Sequence, residues 1–344
     1  MKDPRVLLGI AVSVIATAML FYVVNPWEVL DALRRADPLA VVGCAASVVI
    51  AMWVKAVRWR LFFPRPEEIR LRGVHEALYI GYMVNTVLPL RAGEVVRAFV
   101  AAETEETSKS TTLATVLIEK VLDLGTMGLL LFALGLVFPD LPESARYAAY
   151  VSGAGLAVAV ACIVFALAAR AMATRMALWA EKRVPPLAKI GVAGLLNAFL
   201  DGLSFAQHPL TLAWVVVWSV VQWSLSAGTV MLALLAVGIT GGSTYELVEM
   251  TLLVLVATNL SMAIPSAPGY VGVFHGVFVA TLALFAVRED RATAAAVVEH
   301  ALVFGTFIVG GAYFLLRGDA VRTSGRRLGE LVSRAKSDDS AGAH

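Results

Sequence analysis

The chain has 344 residues, of which 59% are apolar and 16% charged, with a formal net charge of +2. Soluble domains carry about 25% charged residues, and a mean hydropathy of +0.78 leaves more apolar surface than one water-soluble core can hide. These values exclude an ordinary soluble enzyme and a nucleic-acid-binding protein, and they make lipid the solvent for much of the chain.

At the N-terminus, Lys2 and Arg5 precede an apolar run over 6–24. The run is longer than a signal-peptide core, and Asn25-Pro26-Trp27 offers no small-residue cleavage site, so a retained first span is predicted. Further apolar runs cover 39–57, 110–138, 147–169, 210–237, 246–264, 270–287 and 293–316. Each has the roughly 17–25 residues, or more, that cross the hydrocarbon. A shorter run, 74–90, ends just after Pro89, with Arg91, Glu94 and Arg97 following, and reads as a re-entrant hairpin. The stretch 192–200 is apolar but too short to span and is placed in the interface. From Arg317 the tail is basic and then rich in Ser, Asp and Ala. Its end is expected to be disordered, with its arginines resting on anionic lipid. Cys44 and Cys162 both fall in apolar runs and are expected to be buried free thiols.

Charge asymmetry orients these runs. With a cytoplasmic N-terminus, 22 Lys and Arg fall on inside segments and 5 on outside loops, while Lys120 lies within a run. The fold predicted is an all-α, polytopic membrane helix bundle of about eight spans plus a re-entrant hairpin, with both termini cytoplasmic in the cell membrane.

Two interrupted segments resemble each other. The first runs from Asn85 through Pro89 to Gly93 and Glu94; the second runs from Asn259 through Pro265 and Pro268 to Gly269 and Tyr270. Each holds an Asn, then a Pro, then a Gly four residues beyond that Pro. Proline removes a backbone donor and glycine lets the chain reverse; inside a membrane such backbone is tolerated only within protein or beside water. Each break is preceded by two spans and followed by one, and the charge map gives the two sets opposite orientation. Residues 1–138 are therefore read as a first repeat, with its hairpin near 74–103. Residues 139–316 form a second, with a broken pair over 246–287 that is either two full spans or re-entrant, and 317–344 are the tail. Such an inverted repeat is the signature of alternating-access transporters, whose broken helices mark the substrate site.

The apolar run 110–138 carries Glu119, Lys120 and Asp123, the two acids sharing a helix face. Within the hydrocarbon such charges are functional or paired; nearer the cytoplasmic interface they are cheap. The second half carries His275, Glu299 and His300. Arg91, Arg97 and Lys120 can hold a lipid phosphate. The acids can fix the cations in place, accept a cationic head group or carry a proton. The histidines can titrate near neutrality or serve as packing residues.

At these positions the chain resembles the lysylphosphatidylglycerol synthase transmembrane-region family, the flippase-like membrane domain of the bacterial multiple peptide resistance factor. The family pattern falls on Asn85, Pro89, Arg91, Gly93-Glu94 and Arg97, then on Glu119, Lys120 and Asp123, and finally on Pro265, Pro268, Gly269 and Gly272. Two departures stand out: His275 occurs where many members carry Glu, and His300 where an Arg is frequent. The resemblance implies movement of a polar lipid and not synthase activity. No soluble transferase domain is expected, because the chain ends about 28 residues after the last span.

The expected function is therefore a lipid translocase without cofactor or metal, moving an aminoacylated phospholipid or a lipid-linked glycan, with anionic phospholipid or lipid-linked glycan as its lipid partners. Its expected head-group residues are Asn85, Arg91, Glu94, Arg97, Glu119, Lys120, Asp123, His275, Glu299 and His300. A second copy of the chain or a lipid-synthesising enzyme are the further partners. The alternatives are a membrane enzyme acting on lipid phosphates, using Glu119, Asp123 and His300 for acid–base work, and a non-transporting partner of a glycosyltransferase or lipid synthase. Against the enzyme, the chain has no HExxH, Gly-x-Ser-x-Gly, phosphate-cradling glycine loop or zinc-spaced cysteines.

Overall fold

A computed structural model describes residues 27, 34–87, 92–138, 143–184, 191–203, 208–262 and 268–317. The first run (6–24), Pro89, Arg91, Pro265 and the tail beyond Arg317 lie outside the described residues.

The described residues form eleven α-helices and two short 3₁₀ turns. In chain order the helices are α1 (Pro38–Arg60), α2 (Leu71–Val87), α3 (Ala92–Thr104), α4 (Lys109–Val137), α5 (Glu143–Ala168), α6 (Arg170–Arg183), α7 (Val192–Gly202), α8 (Pro209–Ala236), α9 (Thr244–Ser261), α10 (Val273–Ala283) and α11 (Glu289–Arg317). Local chemistry fixes several starts. The Asp37 carboxylate accepts the Ala40 N–H at 2.9 Å ahead of Pro38, the first residue of α1. At α9, Ser243 Oγ accepts the Glu246 N–H at 3.1 Å while Glu246 reaches back to the Gly242 N–H, a reciprocal cap.

Helices α1, α4, α8 and α11 are each long and apolar enough to cross a membrane. The segment 270–287 is not one long helix: α10 has 11 residues and rises about 16 Å, half of the roughly 30 Å hydrocarbon core. The pairs α2–α3 and α9–α10 are thus each a folded-back couple of short helices that pack on one another. The stretch read as interfacial becomes α7, which docks on α4 and α6 with Ala193 and Leu200 buried.

Packing is organised around two cores. One gathers residues of α1 to α4, among them Trp59, Leu78, Ala101 and Ile118; the other gathers residues of α8 to α11, among them Leu234, Val254, Phe278 and Ala295. Two seams join them. Met127, Leu131 and Leu134 of α4 meet Leu253 and Val256 of α9, and Met83 and Val87 of α2 meet Ile308 of α11. Helices α1 and α8 also lie along one another, held by Ser47 Oγ donating to the Leu225 carbonyl at 2.8 Å. Outward rows such as Val49, Ile50, Trp53 on α1 and Val216, Val217, Val220 on α8 remain exposed, as lipid-facing surface does.

Candidate functional site

Four cations and three carboxylates converge between α1, α3 and α4. Asp123 is the central residue of α4, and Glu119 lies one turn before it. The helix starts at Lys109, so these acids sit deep along it and not at its first turn. Lys55 of α1 reaches both: its Nζ is 2.8 Å from Glu119 Oε1 and 3.2 Å from Asp123 Oδ2. Arg58, three residues on and fully buried, donates to Asp123 Oδ1 at 2.5 Å. Arg97 of α3 donates to Glu119 Oε2 at 2.7 Å, and its guanidinium lies 4.9 Å from the Trp59 ring centre, a cation–π contact. Trp59 is itself held by donating Nε1–H to Thr115 Oγ1 at 3.0 Å. Lys120 pairs with Glu94 at 3.0 Å. The cluster carries one more positive charge than negative, in a place where unpaired charge is costly.

A cavity of about 390 Å³ opens beside this cluster and runs between the two cores. Its wall takes Lys55, Tyr82, Asn85, Glu94, Lys120 and Asp123 from the first half, and Gln222, Trp223, Asn259, Phe274, Glu299 and Phe304 from the second. Leu117 and Leu124 of α4 also line it, and they are 40% and 51% exposed. The cavity therefore has an accessible apolar wall along α4.

Of the expected site residues, Asn85, Glu94, Lys120, Asp123 and Glu299 stand on this wall. Arg97 and Glu119 lie behind it, 2% and 0% exposed, where they anchor the cations and carboxylates that do reach it. Asn85 Oδ1 also accepts the Gly93 N–H at 2.8 Å, tying α2 to α3. Gly93 has to be glycine, because a Cβ there would overlap the Gly81 carbonyl. In the second break Gly269 and Gly272 have φ of 67° and 86°, conformations that glycine adopts freely. The turn Pro268–Tyr270 packs against α2, with Gly269 beside Thr86. His275 and His300 stack with ring centres 4.7 Å apart, and His300 stacks again on Phe304 at 4.2 Å. Both histidines stand behind the wall among aromatic rings.

Lys55 and Arg58 enter the sequence reading only as two of the 22 inside cations, not as site residues. The signal that identifies them is their spacing: two cations three residues apart at the end of an apolar run share a helix face. Among the described residues no group of three or more His, Cys, Asp or Glu has the arrangement of a metal site.

Fold and site together define a helical membrane protein with a charged cavity between two packed halves. The family model for the lysylphosphatidylglycerol synthase TM region matches residues 6–311, and the chain belongs to that family. It is 28% identical over 336 residues to a protein of Haloferax volcanii named glycosyltransferase AglD, an alignment covering 88% of this chain and 53% of the relative. It is also 28% identical over 117 residues to a UPF0104 membrane protein of Methanothermobacter thermautotrophicus, covering 33% of this chain and 35% of that one. The chain thus spans about half of the first relative's length and about a third of the second's. No solved structure matches it.

Proposed function

We propose that the protein moves a polar-headed lipid across the cell membrane, binding the head group's phosphate at Lys55 and Lys120 in the central cavity. One observation carries the reading: a cavity that exposes Lys55 and Lys120, backed by a buried cluster with one more cation than carboxylate, is lined along α4 by the partly exposed Leu117 and Leu124. A volume of about 390 Å³ suits a head group, and the accessible apolar wall leaves the acyl chains in lipid. Phosphate is common to an aminoacylated phospholipid and to a lipid-linked glycan, and the cations would read that shared group. The name of the Haloferax relative supports a glycan-carrying cargo and a glycosyltransferase as the partner enzyme.

Movement between leaflets fits a chain built as an inverted repeat of 1–138 and 139–316. Helices α1 to α4 have 23, 17, 13 and 29 residues, and α8 to α11 have 28, 18, 11 and 29. The sixth residue of α2 and of α9 is a buried acid, Glu76 and Glu249. The eleventh residue of α4 and of α11 is again Glu, at 119 and 299. The seams correspond too: the hairpin helix of each half packs on the last helix of the other, α2 on α11 and α9 on α4.

Purified protein in liposomes with head-group-labelled lipids tests the reading. Wild-type protein is expected to expose inner-leaflet label to an impermeant quencher. Lys120→Ala should slow this about tenfold, the worth of one charge-assisted hydrogen bond. No gain in quenching across anionic and glycosylated lipids would refute it.

A further inference from the structure

Glu119 and Glu299 occupy the same position in the last helix of each half, but their surroundings are opposite. Lys55 and Arg97 pair with Glu119. Glu299 is 7% exposed, lines the cavity, forms no ion pair with a described side chain, and has no hydrogen-bond partner at Oε2. A lone carboxylate removed from water needs a positive partner, because burying its charge uncompensated is far costlier than burying the neutral acid.

The described neighbours supply none. On α1 the Cys44 thiol lies within electrostatic reach of Glu299, and its Sγ is turned to the Thr229 carbonyl at 3.5 Å. On α2 the facing ionisable group of the cavity wall is Tyr82, and α8 presents only the neutral Gln222, Trp223, Ser226 and Thr229. On α10 His275 stacks on His300 of α11 itself; neither ring bonds to Glu299, and both His300 nitrogens lack a hydrogen-bond partner among the described residues. Lys55, on the same cavity wall, makes its ion pairs with Glu119 and Asp123 and none with Glu299.

We propose that Glu299 is the binding site of a coupling proton, taken up from water in the cavity and released to the other side as the two halves exchange accessibility. The proposal rests on the translocase reading. It assigns the two ends of the cavity different tasks: the cationic end holds the cargo's phosphate, and the Glu299 end takes the proton. The proton adds to one carboxylate oxygen when the cavity is open to one face and leaves the same oxygen when it is open to the other, so charge and atoms balance without a further reactant.

Two measurements on the full chain in liposomes test it. Without cargo, infrared difference spectra over a pH series should show the carbonyl band of a protonated carboxyl that fades as pH rises. The band should be absent in Glu299→Gln and retained in Glu299→Asp. With labelled lipid, an imposed pH gradient should speed wild-type movement several-fold, whereas the rate of Glu299→Gln, whatever its size, should no longer respond. A band unchanged in Glu299→Gln, equal wild-type rates with and without the gradient, or a response to sodium in place of pH would overturn the proposal. A titrating band in protein that moves no lipid would keep the proton site and refute the translocase reading; moving lipid without the band would do the reverse.

Discussion

Glu119 holds the buried charge cluster together, since one of its oxygens faces Lys55 and the other Arg97. Neutralising it leaves two cations buried with too little negative charge, a change that costs about 3–5 kcal/mol where a buried pair is broken from one side. Glu119→Gln is therefore expected to lower the unfolding midpoint in nanodiscs sharply. Glu68→Gln is the control: it breaks the Arg65–Glu68 pair, whose side chains are 72% and 59% exposed, and should change stability by about 0–1 kcal/mol. Equal effects from the two would refute the assignment of Glu119 as a structural anchor. The acids of this cluster were legible in the sequence, because a charge inside a long apolar run has to be paired or functional. Their partners were not. The apolar run 39–57 closes with Lys55 near its end and Arg58 just beyond it, so both count with the cytoplasmic charges that follow, whereas α1 continues to Arg60. What keeps them buried is Asp123, 68 and 65 residues away along the chain, and no local pattern announces that contact.

Helix hairpins impose a different requirement, that two backbones approach closely. In α2–α3 the crossing is set by Gly81 and Gly93, and the Asn85 side chain ties the two helices together. A methyl at Gly93 would meet the Gly81 carbonyl and stand 2.7 Å from Asn85 Oδ1. Gly93→Ala is expected to destabilise by about 1–3 kcal/mol through overpacking. Gly305→Ala, where nothing lies within 4 Å of the new methyl, should instead stabilise by about 0.4–1 kcal/mol by restricting the unfolded chain. Thermal unfolding of both variants checks the contrast, and a neutral Gly93→Ala would mean that α2 and α3 do not cross there. Most helix limits were legible to within a few residues, because backbone in lipid must satisfy its own hydrogen bonds and long apolar runs have few alternatives. The exception is 270–287. Continuous apolarity reads as one span, but Gly272 at positive φ delays the helix to Val273, and Ala286 with φ of 54° follows its end. Apolarity reports solvent, not whether the helix is long enough to cross.

At the scale of the molecule, the proposed function requires the two halves to have opposite orientation, and that depends on what lies between them. Charge counting puts 22 Lys and Arg inside against 5 outside. Lys55, Arg58 and Arg97 are buried in the bundle and do not inform a loop rule. Removing these three leaves 19 against 5, so the sign is unchanged. Helix α5 supplies the decisive step. Its 26 residues rise about 39 Å, more than the roughly 30 Å hydrocarbon core, and it joins the end of the first half to α6 with Arg170, Arg175, Lys182 and Arg183. If α5 crosses, α6 lies on the cytoplasmic side and the chain enters α8 from the face opposite to that at which α4 ended. That single crossing inverts the second half relative to the first. Single cysteines at the exposed residues Glu143 and Arg183, in a chain whose Cys44 and Cys162 are replaced by alanine, test it with a membrane-impermeant thiol reagent. Cysteine at 143 is expected to react from outside in intact cells, and cysteine at 183 only after the membrane is opened. Reaction of both from the same side would mean that α5 does not cross, and the corresponding helix lengths and paired acids of the two halves would then lose their meaning as an inverted repeat.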